Sequence, residues 1–162
     1  MKPFAIFLMI LCLAALVGVG YLYMSTELAV AATGCVATDA LDQPEYFQSL
    51  ISSVADSTFT GTLFGATGAE EAASAQYYTY TIRLRNNTFL PAKAVELQIT
   101  PIEGDLLQLG ELARHDLPAR STGDFQATLL TRKDLHNVRE ITVTWYFWGL
   151  PFSLRTTYRH AS

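Results

Sequence analysis

The chain opens on residues 4–24, an unbroken run of 21 uncharged, mostly large apolar side chains. A helix rises about 1.5 Å per residue, so about 20 such residues cross the ~30 Å hydrocarbon core of a bilayer. The apolar stretch of a cleavable signal is shorter, about 7–15 residues, which favours a transmembrane helix or uncleaved signal anchor. Residues 25–41 are small and polar, dominated by Ala, Thr and Gly, and read as a linker. A 3.6-residue period follows, with Tyr46, Phe47, Leu50, Ile51 and Val54 on one face of a helix over about 43–55. Pro44 suits its first turn, and Asp42 with Glu45 three residues on has the form of a capping box. Residues 42–56 are thus expected to form a short amphipathic helix packed on the domain that follows.

Over residues 57–160 the period falls to two. Phe59, Gly61 and Leu63 alternate with threonines. After the loop-like stretch 65–75, Tyr78, Tyr80, Ile82 and Leu84 oppose Tyr77, Thr79, Thr81, Arg83 and Arg85. Val95, Leu97 and Ile99 alternate with Glu96, Gln98 and Thr100, and Pro101-Ile102-Glu103-Gly104 has turn chemistry. Further strands are expected at 106–111, from Phe125 to Leu129, from Ile141 to Phe147, and from Phe152 to Tyr158, with a turn at Gly149-Leu150-Pro151. Parallel strands would need crossover helices, and none intervene. The expected fold is mainly β, an antiparallel sandwich of six to seven strands.

Three stretches carry a wider likeness: YTYTIRLRNNTFLPAKAVELQI, two alternating strands joined by an Asn- and Pro-containing turn; LPARSTGDFQATL, a proline-led corner before a strand; and REITVTWYFWGLPFSLRTTYR, a terminal hairpin. With these, residues 57–160 resemble an immunoglobulin-like β-sandwich domain of exported, membrane-anchored bacterial proteins. The Cys…Trp…Cys pattern of antibody-type domains is absent from the sequence. The resemblance implies a binding, accessory or spacer role, because adhesins, enzyme accessory modules and structural spacers share the architecture.

Charge adds a direction. Lys2 and the amino terminus hold the only positive charge before Arg83, and Glu27, Asp39, Asp42, Glu45, Asp56, Glu70 and Glu71 lie between. Positive flanks stay on the cytoplasmic side, so residues 1–3 are expected inside and the domain outside. Two other fates remain open at this point. Cleavage near Ala31, in the small-x-small sequence Ala29-Val30-Ala31, would secrete the domain, and acylation of Cys35 in Thr33-Gly34-Cys35 would make it a lipoprotein. The net charge of −4 offers no basic footprint for nucleic acid. The expected partners are membrane lipid, through residues 4–24, and another protein.

Chemistry is sparse. His115, His136 and His160 form no metal-ligand spacing, G-x-S-x-G is absent, and Glu103 and Asp105 read as turn residues rather than a cation loop. No catalytic residue, cofactor or metal is expected, and Ser121 with His136 has no motif behind it. Asn86-Asn87-Thr88 fits a glycosylation sequon and equally a turn. The aromatic run TWYFW is the remaining signal. Alternation turns Trp145 and Phe147 inward and leaves Tyr146 and Trp148 outward, where with Tyr77, Leu130 and Arg155 they form a candidate binding patch. The plainer alternative packs Trp148 under the 43–55 helix or against the 65–75 loop. A secreted or lipidated carbohydrate-binding module, with Tyr146 and Trp148 as its platform, is the competing functional expectation.

Overall fold

The structure, a computed structural model, describes residues 2–24, 27–64, 72–109, 115–133 and 138–159. Helix α1 (Lys2–Met24) is, among the described residues, the one helix long and apolar enough to cross a membrane. Its 23 residues span about 34 Å at the standard rise. Strand β1 (Leu28–Asp39), a 3-10 turn (Ala40–Asp42) and helix α2 (Pro44–Ala55) follow, then β2 (Gly61–Leu63), a second 3-10 turn (Ala72–Ser74), β3 (Ala75–Asn86) and β4 (Ala92–Ile99). The chain continues through β5 (Asp105–Leu109), β6 (His115–Leu117), β7 (Thr122–Arg132), β8 (Val138–Phe147) and β9 (Leu150–Arg159). Two antiparallel sheets result, one ordered β1-β3-β7-β5-β2 and the other β6-β4-β8-β9.

The period-two pattern becomes the core. Tyr78, Tyr80, Ile82 and Leu84 of β3 meet Val95, Leu97 and Ile99 of β4 and Ile141, Val143, Trp145 and Phe147 of β8 between the sheets. A second, smaller core lies on the outer face of the five-stranded sheet. There Phe47 and Leu50 of α2 are buried against Ala75, Tyr77, Leu106, Leu107 and Leu130. Burying one such side chain stabilises by about 1.5–3 kcal/mol, enough to hold a 12-residue helix that would be marginal alone.

Four expectations change. The 25–41 linker is replaced over most of its length by β1, which pairs with β3 from Leu28↔Asn86 to Asp39↔Gln76 across a bulge at Val30/Ala32. Leu28 is only 3% exposed and belongs to the main core. Small residues hid the strand, because an edge strand needs few large side chains when its neighbour supplies them. With β1 and β6 the strands number nine among the described residues. The capping box does not form: Asp42 closes a 3-10 turn, Gln43 is the N-cap without a side-chain bond, and Pro44 opens the helix. The last hairpin turns one residue earlier than expected, on Trp148 (φ 51°) and Gly149 (φ 78°), with Leu150 and Pro151 already in β9. Two positive φ values in a two-residue loop match the twist of the flanking strands. Most of the 65–75 stretch lies outside the described residues.

Candidate functional site: a free sheet edge and a polar cleft

The residues singled out in the aromatic patch do not converge. Tyr77 and Leu130 are adjacent partners on β3 and β7, both buried beneath α2. Tyr146 and Arg155 belong to the other sheet and face its opposite, outer surface; Tyr146 is 41% exposed and Arg155 pairs loosely with Glu140 at 3.6 Å. Trp148, at the β8–β9 turn, is 60% exposed, so it packs under neither α2 nor the described part of the 65–75 stretch. The single patch is thus two surfaces on opposite faces of the molecule. Alternation gives a side chain one face of its strand, but only pairing and packing decide which sheet that face belongs to and what covers it.

Of the sheet edges, three are blunt. β2 and β6 have three residues each, and β9 carries Pro151, Arg155 and Arg159. Short strands, proline and charge are the usual devices that stop an edge from recruiting another chain. β1 has none of these three and only the bulge at Val30/Ala32 to turn it: its 12 residues, LAVAATGCVATD, hold no proline and no charge before Asp39. Among the described residues β1 pairs with β3 alone, leaving its other side open.

Beside the far half of β1 lies a cleft of about 700 Å³, between α2 and the outer face of the five-stranded sheet. Its lining is neutral and rich in hydroxyl and amide groups, including Thr38, Gln43, Ser53, Thr79, Gln126 and Thr128. Tyr46 and Tyr77 add aromatic surface, their rings 5.9 Å apart. The Tyr77 hydroxyl is buried without a hydrogen-bond partner among the described residues. Burial, with neighbouring Tyr46, pushes its pKa up to about 12.

The polar groups that matter most to the fold were missed by the sequence. Arg139 of β8 and Asp105 of β5, 2% and 0% exposed, form a two-pronged ion pair across the sheets at 2.8 and 3.1 Å. Asp105 also accepts from the Ile102 backbone N–H at 2.8 Å, so it does serve the turn. Arg139 stands on the inward parity of Ile141 and Val143, and that was the available signal. Nearby, burial raises the Cys35 thiol to about 11 and the Tyr80 phenol to about 12. A thiol held protonated is a poor nucleophile.

Ser121 donates to the Pro118 carbonyl at 2.8 Å, closing the corner, and Asp116 pairs with Lys93 at 2.6 Å. His136 and His160 lie outside the described residues. Among the described residues no group of three or more His, Cys, Asp or Glu side chains is placed to hold a metal. Asn86 is fully buried, its amide donating to the carbonyls of Leu90, Leu117 and Pro118 and its oxygen accepting from Thr88. The Asn86 sequon is therefore a turn: a glycan on that nitrogen and this fold exclude one another. No protein-family model matches the chain and no curated protein matches it, so the reading of these surfaces rests on their own chemistry.

Proposed function

We propose that the chain is a single-pass membrane protein whose external β-sandwich binds another protein by strand addition at β1. The carrying observation is that β1 presents a 12-residue open edge without charge before its last residue, while the other edges are short or protected. Strand addition supplies affinity through main-chain hydrogen bonds and needs little from the side chains. The small residues of β1 suit that use. Retention of the anchor is supported by Leu28, since cleavage near Ala31 would remove a core side chain and the first four residues of β1. Acylation at Cys35 would cost the first seven. The charge asymmetry around α1 supports an extracytoplasmic domain.

The test is a photoreactive residue at Val36, 65% exposed on β1, in the full chain in its native membranes. A single defined protein adduct is expected there and none from Thr157 on β9. Equal labelling from both, or none at Val36, would sink strand addition.

A second reading, glycan binding, rests on the neutral, hydroxyl-lined cleft with its tyrosines rather than on Tyr146 and Trp148. It makes the Tyr46 ring, 48% exposed over the cleft, a stacking platform for a sugar. Tyr46→Ala then weakens binding to neutral oligosaccharides in titration calorimetry, whereas Tyr77→Phe leaves stability unaltered or raises it by about 1 kcal/mol, since it deletes an unsatisfied buried group. No heat of binding across an oligosaccharide series would discard this reading.

A further inference from the structure

The strand directions place several exposed groups at one end of the sandwich. β1 begins at Leu28 opposite Asn86, the last residue of β3, and Arg85 pairs with Thr122, the first of β7. Ala92 at the start of β4 pairs with Leu117 at the end of β6, and Lys93 pairs with Tyr146 near the end of β8. Hence the 87–91 loop, the 118–121 corner and the Trp148-Gly149 turn all gather where β1 starts. Three residues, Ser25, Thr26 and Glu27, separate that start from Met24. At no more than ~3.6 Å per residue, the chain allows at most about 14 Å between Met24 and Leu28.

This end exposes three large apolar side chains close together along its loops. Phe89 is 71% exposed, Trp148 60% and Leu150 50%. The Arg120 guanidinium stacks over the Phe89 ring, 4.1 Å from its centroid. The Asn86 and Thr88 hydrogen bonds lock both loops from behind, so Phe89 and Arg120 are held outward on a rigid base. Of the four non-glycine residues with positive φ among the described residues, three are here: Ala94, Arg120 and Trp148. Such backbone costs of order 1–3 kcal/mol each and collects at functional sites. Tryptophan and phenylalanine beside arginine are the side chains that settle at headgroup depth, where ring and charge are both solvated.

We infer that Phe89, Arg120, Trp148 and Leu150 form a membrane-contacting crown that seats the sandwich on the lipid surface beside its own anchor. The inference rests on the membrane-anchored reading above. Seating this end turns the α2 cleft, which lies against the other half of the sheet, away from the bilayer.

The test is nitroxide depth measurement on the full chain, with Cys12→Ser and Cys35→Ser as background, reconstituted in vesicles of phosphatidylcholine and phosphatidylglycerol. Labels go at Phe89→Cys and Leu150→Cys in the crown, at Ile102→Cys in the distal β4–β5 turn, and at Leu13→Cys within α1. The oxygen-to-nickel accessibility ratio should rise severalfold over the water value at 89 and 150, rise most at 13, and stay at the water value at 102. A spanning signal at 13 with water values at 89 and 150 would overturn the crown and leave the anchor standing. A water value at 13 would overturn both.

Discussion

Arg139 and Asp105 illustrate what a single buried contact decides. Removing one partner leaves an uncompensated charge in the core, which costs about 3–5 kcal/mol, whereas replacing both with apolar groups is often close to neutral. Arg139→Met should therefore lower the urea midpoint sharply, and Arg139→Met with Asp105→Leu should recover much of the loss. The recovery is incomplete, because the Ile102 N–H loses its acceptor. Cys35, Tyr77 and Tyr80 make a second residue-scale prediction. Burial pushes them up to about 11, 12 and 12, from ordinary values of 9.0, 10.0 and 10.0. The native state then holds protons that the unfolded chain gives up, so their contribution is intact below about pH 9 and is lost as pH rises towards 12. Thermal melts should show a falling midpoint above pH 9, and Cys35 should resist alkylation at neutral pH until denaturant is added.

At the scale of elements, β1 ties the chain that follows α1 into the domain. Leu28 is buried, contributing of the order of 1.5–3 kcal/mol, and the half-buried Val30 packs against the main core and adds a smaller share. A chain starting at Leu28 should melt several degrees above one starting at Ala32, measured by circular dichroism at one concentration. Equal melting points would show that the first turn of the strand is dispensable and would reopen cleavage near Ala31. Helix α2 shows the reverse case, in which local pattern was sufficient. Its stripe of Phe47, Leu50, Ile51 and Val54 faces the sheet as the 3.6-residue period required. The strands with large alternating residues were readable for the same reason. β1 was not, because alanine, threonine and glycine satisfy a linker and an edge strand equally well.

For the whole molecule, strand direction sorts the loops between the two ends of the sandwich. The end where β1 begins carries Phe89, Trp148 and Leu150, and the opposite end carries α2, the 100–104 turn and the last residues of β9. Under the proposed topology a protease added outside intact cells should digest an epitope tag placed after Ser162 and spare one placed before Met1. The opposite protection pattern would reverse the orientation. The fold-wide arrangement also explains why the aromatic patch dissolved. Tyr77 and Tyr146 both point outward from a strand, but from sheets on opposite sides of one core.

The amino-acid order alone determined the membrane-length apolar helix, the amphipathic helix and the inward faces of the large alternating strands. Each follows from a periodicity shorter than one element, which local sterics and hydrophobicity decide. Tertiary structure alone decided that β1 is a strand, that Arg139 meets Asp105, and that Asn86 is buried. It also decided that the Phe89 and Trp148 loops share an end with the start of β1. Those relations join positions from about thirty residues apart, as Asn86 and Leu117 are, to more than a hundred, as Leu28 and Trp148 are, and strand pairing, not local preference, brings them together.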